Sequence, residues 1–258
     1  MCGIFGSYSA VPLSESDVPV LQGVGVSQLE RGTHAFGLAW HCRKSSAVRG
    51  YKRPGPIDSG VSELVRGIGS HQVIGHTRWA THGDAADNDN NHPHAFRYKG
   101  SHGLLVHNGI VPRHREIASD LGLSLRTQCD TEIFARHIEA GKGSILQRVV
   151  AAVAAIDPYA PCCLAVLVNA GLVVARRGNP LWWSDDGNGR CWFASTPRAL
   201  PGRSWQVPDN TACLVPAGDG APVRQANLRR HVQSSRLWEG SSVFSHGSCS
   251  TRLHPARA

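Results

Sequence analysis

Met1-Cys2-Gly3-Ile4-Phe5-Gly6 opens the chain. Removal of the initiator methionine would leave Cys2 with a free α-amino group on the same residue as its thiol. An α-amine titrates at about 7.7–8.0 and a free thiol at about 8.5, so near neutral pH the amine can take the thiol proton, directly or through one water. Such a residue is a nucleophile that carries its own base and needs no histidine. Gly3 and Gly6 allow close backbone approach, and residues 4–8 have the composition of a strand. An early Cys-Gly is common by chance, so the stretch acquires meaning only from what the rest of the sequence places beside it.

The composition is that of a globular chain. Its 258 residues are 41% hydrophobic, enough for one large core or two small ones. No apolar run approaches the roughly 18–20 residues that span a bilayer, and no basic segment followed by an apolar one marks the start. A cytoplasmic location with no membrane partner is the expectation. The eight cysteines (2, 42, 129, 162, 163, 191, 213 and 249) are scattered without a Cys-x-x-Cys pair. Reduced thiols are expected, with neither a metal site nor a cofactor. The net charge of +8 raises nucleic acid as a partner. The excess is uneven, however: from residue 221 onward six arginines face the single acid Glu239. That pattern reads as a solvated basic tail rather than a nucleic-acid face.

Residues 4–8, 37–42, 73–77, 103–108, 163–169, 171–176, 191–195 and 211–215 read as strands, rich in Val, Ile, Leu, Phe and Trp and bounded by turn formers. Residues 18–31, 111–121, 130–140 and 144–156 read as helices. Asn169-Ala170-Gly171 predicts a tight hairpin turn. Strands at both ends with helices between them indicate an α+β layered fold. The folded domain is expected over 2–217, and residues 218–258 form a basic, flexible tail with no element that must be folded.

The middle of the chain carries polar groups at element ends. Gly75-His76-Thr77-Arg78-Trp79-Ala80-Thr81-His82-Gly83 joins a strand end to a loop bearing guanidinium, indole, hydroxyl and imidazole groups. An arginine there suits a small carboxylate; the plainer reading is a surface turn with Trp79 packed in the core. His107-Asn108-Gly109 follows a strand and offers an amide and a backbone N–H, the two donors that a tetrahedral oxyanion needs. An Asn-Gly hairpin turn is the alternative. Cys129-Asp130-Thr131-Glu132 precedes a helix, where Asp130 reads as an N-cap or as the partner of a substrate ammonium.

Taken in order, these four motifs resemble the class II glutamine amidotransferases, most closely the glutaminase domain of glutamine–fructose-6-phosphate aminotransferase. Arg31-Gly32, His92-Pro93-His94, the run from Ala175 to Leu181 and Phe193-Ala194-Ser195 extend the resemblance over roughly residues 2–215. It implies a four-layer αββα sandwich of the N-terminal nucleophile hydrolase type. It implies Cys2 as nucleophile, Asn108 and Gly109 as the oxyanion hole, and Arg78, with Trp79, Thr81 and His82 on its loop, as the grip on the glutamine α-carboxylate. Asp130 would bind the α-ammonium. One departure stands out: the family's Arg-Gly-Tyr-Asp-Ser-Ala-Gly reads Arg31-Gly32-Thr33-His34-Ala35-Phe36-Gly37 here.

The expected activity is hydrolysis of L-glutamine to glutamate and ammonia through a thioester on Cys2, the ammonia passing to a separate synthase protein. Another γ-glutamyl amide as substrate, or a non-catalytic regulatory or binding role, are the alternatives. The oligomeric state is left open.

Overall fold

The computed structural model describes residues 1–9, 11–41, 47–58, 70–217 and 223–228. In chain order their strands are β1 (Gly3–Ser9), β2 (Ala35–His41), β3 (Val48–Pro54), β4 (Gln72–Arg78), β5 (His94–Tyr98), β6 (Ser101–Gly109), β7 (Cys162–Val168), β8 (Gly171–Arg177), β9 (Trp182–Asp185), β10 (Arg190–Ala194), β11 (Arg203–Gln206), β12 (Thr211–Pro216) and β13 (Arg224–Asn227). The α-helices are α1 (Val18–Ser27), α2 (His114–Asp120), α3 (Glu132–Ala140) and α4 (Ile145–Ile156).

Two antiparallel sheets form, one ordered β11-β9-β10-β1-β4-β2-β3 and the other β13-β12-β8-β7-β6-β5. Successive strand residues point to opposite faces, and the central strands are buried on both. Ile4, Ala39, Ile74 and Phe193 of the first sheet meet Val106, Ala165, Leu167 and Val174 of the second in one buried cluster. Their strand neighbours Phe5, Leu38, Val73 and Trp192 point outward onto Leu21 and Val24 of α1. On the far side of the second sheet, Leu105, Val166 and Val173 pack beneath Ile133, Phe134 and Ile138 of α3 and Val149, Val150 and Val153 of α4. The result is the expected four-layer αββα sandwich. It explains why β7 reads as an unbroken apolar run: it is buried on both faces.

The layers are also tied at their edges. Arg190 Nε and Nη2 donate to Asp17 Oδ1 and Oδ2 at 3.0 and 2.9 Å, joining β10 to the start of α1. At the start of α4, Ser144 Oγ accepts from Gln147 N and Gln147 Oε1 accepts from Ser144 N, a reciprocal cap that satisfies two otherwise open donors. The predicted hairpin is present, with Val168 paired to Gly171 across Asn169-Ala170.

Three expectations change. The segment from 218 onward contributes β13, whose Arg224–Asn227 pair with β12; residues 218–222 and 229–258 lie outside the described residues. Cys191 is disulfide-bonded, against the expectation of reduced thiols. Cys2, Cys129, Cys162, Cys163 and Cys213 are free thiols. Finally, β6 continues through Asn108 and Gly109, which pair with Cys163 and Cys162, so the Asn-Gly pair is not a hairpin turn. Among the described residues no helix is long and apolar enough to cross a membrane.

Ile74 is fully buried between the sheets. Truncating such a side chain removes its transfer energy and leaves a cavity. Ile74→Ala is expected to destabilise the domain by about 2–5 kcal/mol, measured by denaturant unfolding.

Candidate active site

The register of β1 on β4 pairs Gly3 with Thr77, which brings Cys2 against the end of β4 at Arg78 and Trp79. The Cys2 Sγ accepts the Trp79 N–H at 3.4 Å and lies 3.5 Å from the Trp79 carbonyl, to which the thiol donates. Arg31 Nε donates to the Cys2 carbonyl at 2.8 Å. Gly32 packs so closely on the Arg78–Trp79 peptide that a Cβ would lie 2.4 Å from the Arg78 carbonyl carbon. The Arg31-Gly32 pair therefore fixes both Cys2 and the peptide it faces. Burial pushes the Cys2 thiol up, and the Trp79 N–H, the chain's amino terminus and Arg78 oppose that rise, while Asp130 adds to it. Arg78 and Asp130 thus both act electrostatically on the thiol. Met1 is 69% exposed, whereas Cys2 is buried.

Arg78 is buried at the end of β4. Its Nη1 donates to Asn91 Oδ1 at 2.8 Å, and its Nη2 donates to the carbonyls of His82 and Gly83 at 2.5 and 3.1 Å. The guanidinium therefore organises the loop that follows it as well as placing a positive charge in the site. Asn91 is fully buried and also donates to the Ala85 carbonyl.

Trp79 is 48% exposed and stacks on His34, with ring centroids 4.6 Å apart, so it is not a core residue. His34 Nδ1 accepts the Ala80 N–H at 3.0 Å. At the position where the family pattern has an acidic residue, an imidazole nitrogen acts as acceptor and the ring gives the indole a platform. Thr81 is exposed and His82 half-buried.

The second sheet reaches the same place through β6. His76 on β4 hydrogen-bonds from Nε2 to the His107 carbonyl at 3.0 Å, crossing from one sheet to the other. His107 Nδ1 bonds Thr131 Oγ1 at 3.0 Å. Burial drives His76 down to about 3 and His107 down to about 4, so both are neutral at physiological pH. Beside His107, the Asn108 Nδ2 is buried with no hydrogen-bond partner, while the Asn108 carbonyl accepts from Asn179 Nδ2 at 2.8 Å. A buried amide donor left unpaired is costly, and the cost is recovered when an acceptor arrives. A Cβ on Gly109 would lie 2.5 Å from His107 Nε2 and 2.8 Å from the Pro161 carbonyl, so only glycine fits there.

Asp130 does not cap α3. Its Oδ2 accepts the Val111 N–H at 2.7 Å, which ties it to the exit of β6, and lies 3.6 Å from His82 Nδ1. The acid that holds the start of α3 is Glu132, whose Oε2 accepts from the N–H groups of Arg126 and Thr127.

The structure thus gathers Cys2, Arg78, His82, Asn108, Gly109 and Asp130 around strand ends from both sheets, and leaves Trp79 and Thr81 on the exposed side of the loop. Sequence reasoning missed Asn91, His34, Asn179 and Thr131, which hold the others in place. The signal that could have found Asn91 and Asn179 is an asparagine close before a proline, in Asn91-His92-Pro93 and Asn179-Pro180.

The family described as glutamine amidotransferases class-II matches residues 1–134, just over half of the chain. The glutamine–fructose-6-phosphate aminotransferase (isomerizing) of Xylella fastidiosa strain 9a5c is 37% identical over 240 residues, covering 88% of this chain and 36% of that protein. That of Pseudomonas putida is 33% identical over 259 residues, covering 95% and 39%. The chain therefore spans little more than a third of these relatives' length. Among solved structures, the glutamine phosphoribosylpyrophosphate amidotransferase from B. subtilis superposes with a TM-score of 0.70 at 19% identity, covering 92% of this chain and 50% of that one. A glutamine aminotransferase class-II domain protein from Silicibacter pomeroyi gives 0.58 at 13% identity, covering 87% and 99%. At such identities the likeness speaks to the fold, and the fold is the sandwich described above. On the match of its first half and on its architecture, the chain belongs to the class-II glutamine amidotransferases, enzymes built on the N-terminal nucleophile hydrolase fold.

Proposed function

We propose that this domain hydrolyses L-glutamine to glutamate and ammonia, with Cys2 as nucleophile once Met1 has been removed. The observation that carries this reading is the buried, unpartnered Asn108 Nδ2 beside a site that holds a thiol, a guanidinium and a carboxylate. The Cys2 α-amine takes the thiol proton and Sγ attacks the amide carbon. Asn108 Nδ2 and the Gly109 N–H receive the oxyanion. The C–N bond breaks, ammonia leaves with the proton held by the amine, and a glutamyl thioester remains. Water then attacks the thioester, releasing glutamate and restoring the thiol.

A free amino acid carries both charges at its α-carbon. The remaining N–H donors of Arg78 would meet the carboxylate, with Thr81 and His82 on the same loop. Asp130 Oδ1, whose neighbour is the Cys129 thiol at 3.8 Å, would meet the ammonium. Trp79, exposed on its His34 platform, would close over the bound substrate. As a finer proposal, the ammonia passes to a synthase on a separate chain; the long unmatched remainder of the aminotransferase relatives supports an acceptor activity outside these residues. Residues 2–217 with β13 would be the glutaminase domain.

Intact-mass analysis before and after treatment with a glutamine-analogue electrophile, together with glutamate release, tests the reading. Loss of Met1, one label on Cys2 and glutamate formation are expected. Met1 absent with Cys2 unlabelled and no glutamate would reject it, and turnover of γ-glutamyl conjugates but not of glutamine would replace the substrate.

Asn108→Ala removes one oxyanion donor and is expected to lower kcat by about 10²–10³ with little change in KM, read from steady-state glutamate release.

The rate should also depend on pH. The base is an amine that must be neutral to accept the thiol proton, and burial raises the thiol. Both effects make labelling of Cys2 rise with pH and fall away below the amine's usual range of about 7.7–8.0. A pH profile of the inactivation rate checks the direction.

A further inference from the structure

Next to Asp130, and within electrostatic reach of Arg78, lies a cluster that the proposed glutamine chemistry does not use. His92, His94 and Cys129 each present one potential ligand atom, and all three atoms lie within 4.8 Å of one another. The three residues are 3%, 4% and 2% exposed. Both ring nitrogens of His92 and Nε2 of His94 are buried without a hydrogen-bond partner, and Cys129 is a free thiol. Imidazole nitrogens that have lost water and gained nothing are expensive. Two imidazoles, each with an unpaired ring nitrogen, beside a free thiol describe a ligand set.

We infer that His92, His94 and Cys129 form a binding site for a soft d10 cation, Zn2+ or Cu+. Two imidazoles and a thiolate are the donors such ions select. Coordination at about 2.0–2.3 Å brings ligand atoms to within roughly 4 Å of one another, so the three need to close by about 1 Å at most, a change that side-chain rotation supplies. On binding, the thiol loses its proton to solvent and the thiolate charge offsets part of the cation's. Asp130 Oδ1, 3.8 Å from the Cys129 sulfur, offsets more. Lys52, Arg78 and Arg136 act on His94 from outside the cluster, and their positive charge favours the monovalent ion, for which three ligands also complete a trigonal shell.

The site's position gives it a consequence. Cys129 precedes Asp130, and His92 follows Asn91, the acceptor of Arg78. Asn90 already links these segments by accepting the Gln128 N–H at 2.8 Å. An ion between His92, His94 and Cys129 would lock both together, so that one bond set braces the segment that holds Arg78 through Asn91 and the segment that carries Asp130.

The test uses the full chain, reduced, with Cys2→Ala to remove the other candidate thiol beside an amine, and titrates Zn2+ and Cu+ separately against a competing chelator. One equivalent of at least one ion should bind, raise the thermal midpoint, and show one sulfur and two nitrogen ligands by X-ray absorption. Cys129→Ala, and separately His92→Ala, should weaken binding at least tenfold and abolish the midpoint shift. Binding of neither ion, retention at parental affinity in Cys129→Ala, or a ligand shell without sulfur would overturn the proposal. If an alanine variant does not fold, Cys129→Ser and the ligand count in the unaltered Cys129 protein decide. Preference for Zn2+ or for Cu+ identifies the ion. Because the readouts are stoichiometry, midpoint and ligand identity, the result is independent of whether the domain hydrolyses glutamine.

Discussion

The pairing of β1 with β4 is the constraint from which the site follows. Gly3 opposite Thr77 leaves Cys2 one residue beyond the ladder, facing the Arg78–Trp79 peptide. From there its sulfur accepts that peptide's N–H and donates to the Trp79 carbonyl, while its own carbonyl is held by Arg31. A slip of one residue would send every side chain of β1 to the opposite face. Ile4 would leave the inter-sheet core, Phe5 would leave the α1 face, and the thiol would point away from its partners. The register is therefore defended by burial on both sides of the strand, and Cys2 inherits its position from the core.

Position alone would not bring the second sheet into the chemistry. That is the work of the His76–His107 hydrogen bond, which crosses the interior between the sheets and sets β6 so that the Asn108 amide ends beside the same strand mouths. Thr131 fixes the other face of His107, and Val111 N fixes Asp130. The exit of β6 and the entry to α3 thus behave as one unit. The Asn108 donor is left open, and so are His107 Nε2 and His76 Nδ1 close by. In a well-packed interior an open amide donor is a place where a ligand can complete the network.

Much of this was legible in the sequence, and what was not has a common cause. The central strands announced themselves because both their faces are buried: β7 is apolar throughout, and β8 is apolar up to the two arginines that end it. The edge strands did not. Of the residues of β3, only Val48 is buried, and β13 exposes or half-exposes all four of its residues. Backbone pairing holds them, and backbone pairing leaves no mark on side-chain pattern. Cys2, Arg78, Asn108 and Asp130 were legible as motifs because each joins an unusual residue type to an element end. Asn91 and His34 were not, since their roles depend on a partner distant in sequence or in a loop that only the fold brings near. His34 is the sharper lesson. It looked like a loss of an acidic support, yet its Nδ1 accepts the Ala80 N–H and its ring carries Trp79. What that place requires is an acceptor, and a negative charge is only one way to supply it.

The replacement fits the wider electrostatics of the site. Its interior is rich in imidazole, with His76, His92, His94 and His107 all buried and all driven by burial toward the neutral form. Neutral rings supply hydrogen bonds and shape without adding charge. That leaves Arg78 and Asp130 as opposed charges acting on Cys2. A low-dielectric pocket with one cation and one anion matches a zwitterion far better than either charge alone, because each partner repays the desolvation of one end and no surplus charge is buried. An aspartate at position 34 would put a second negative charge on the exposed side of the loop, beside the peptide that faces the thiol. An imidazole acceptor holds the same N–H and leaves the balance between Arg78 and Asp130 undisturbed.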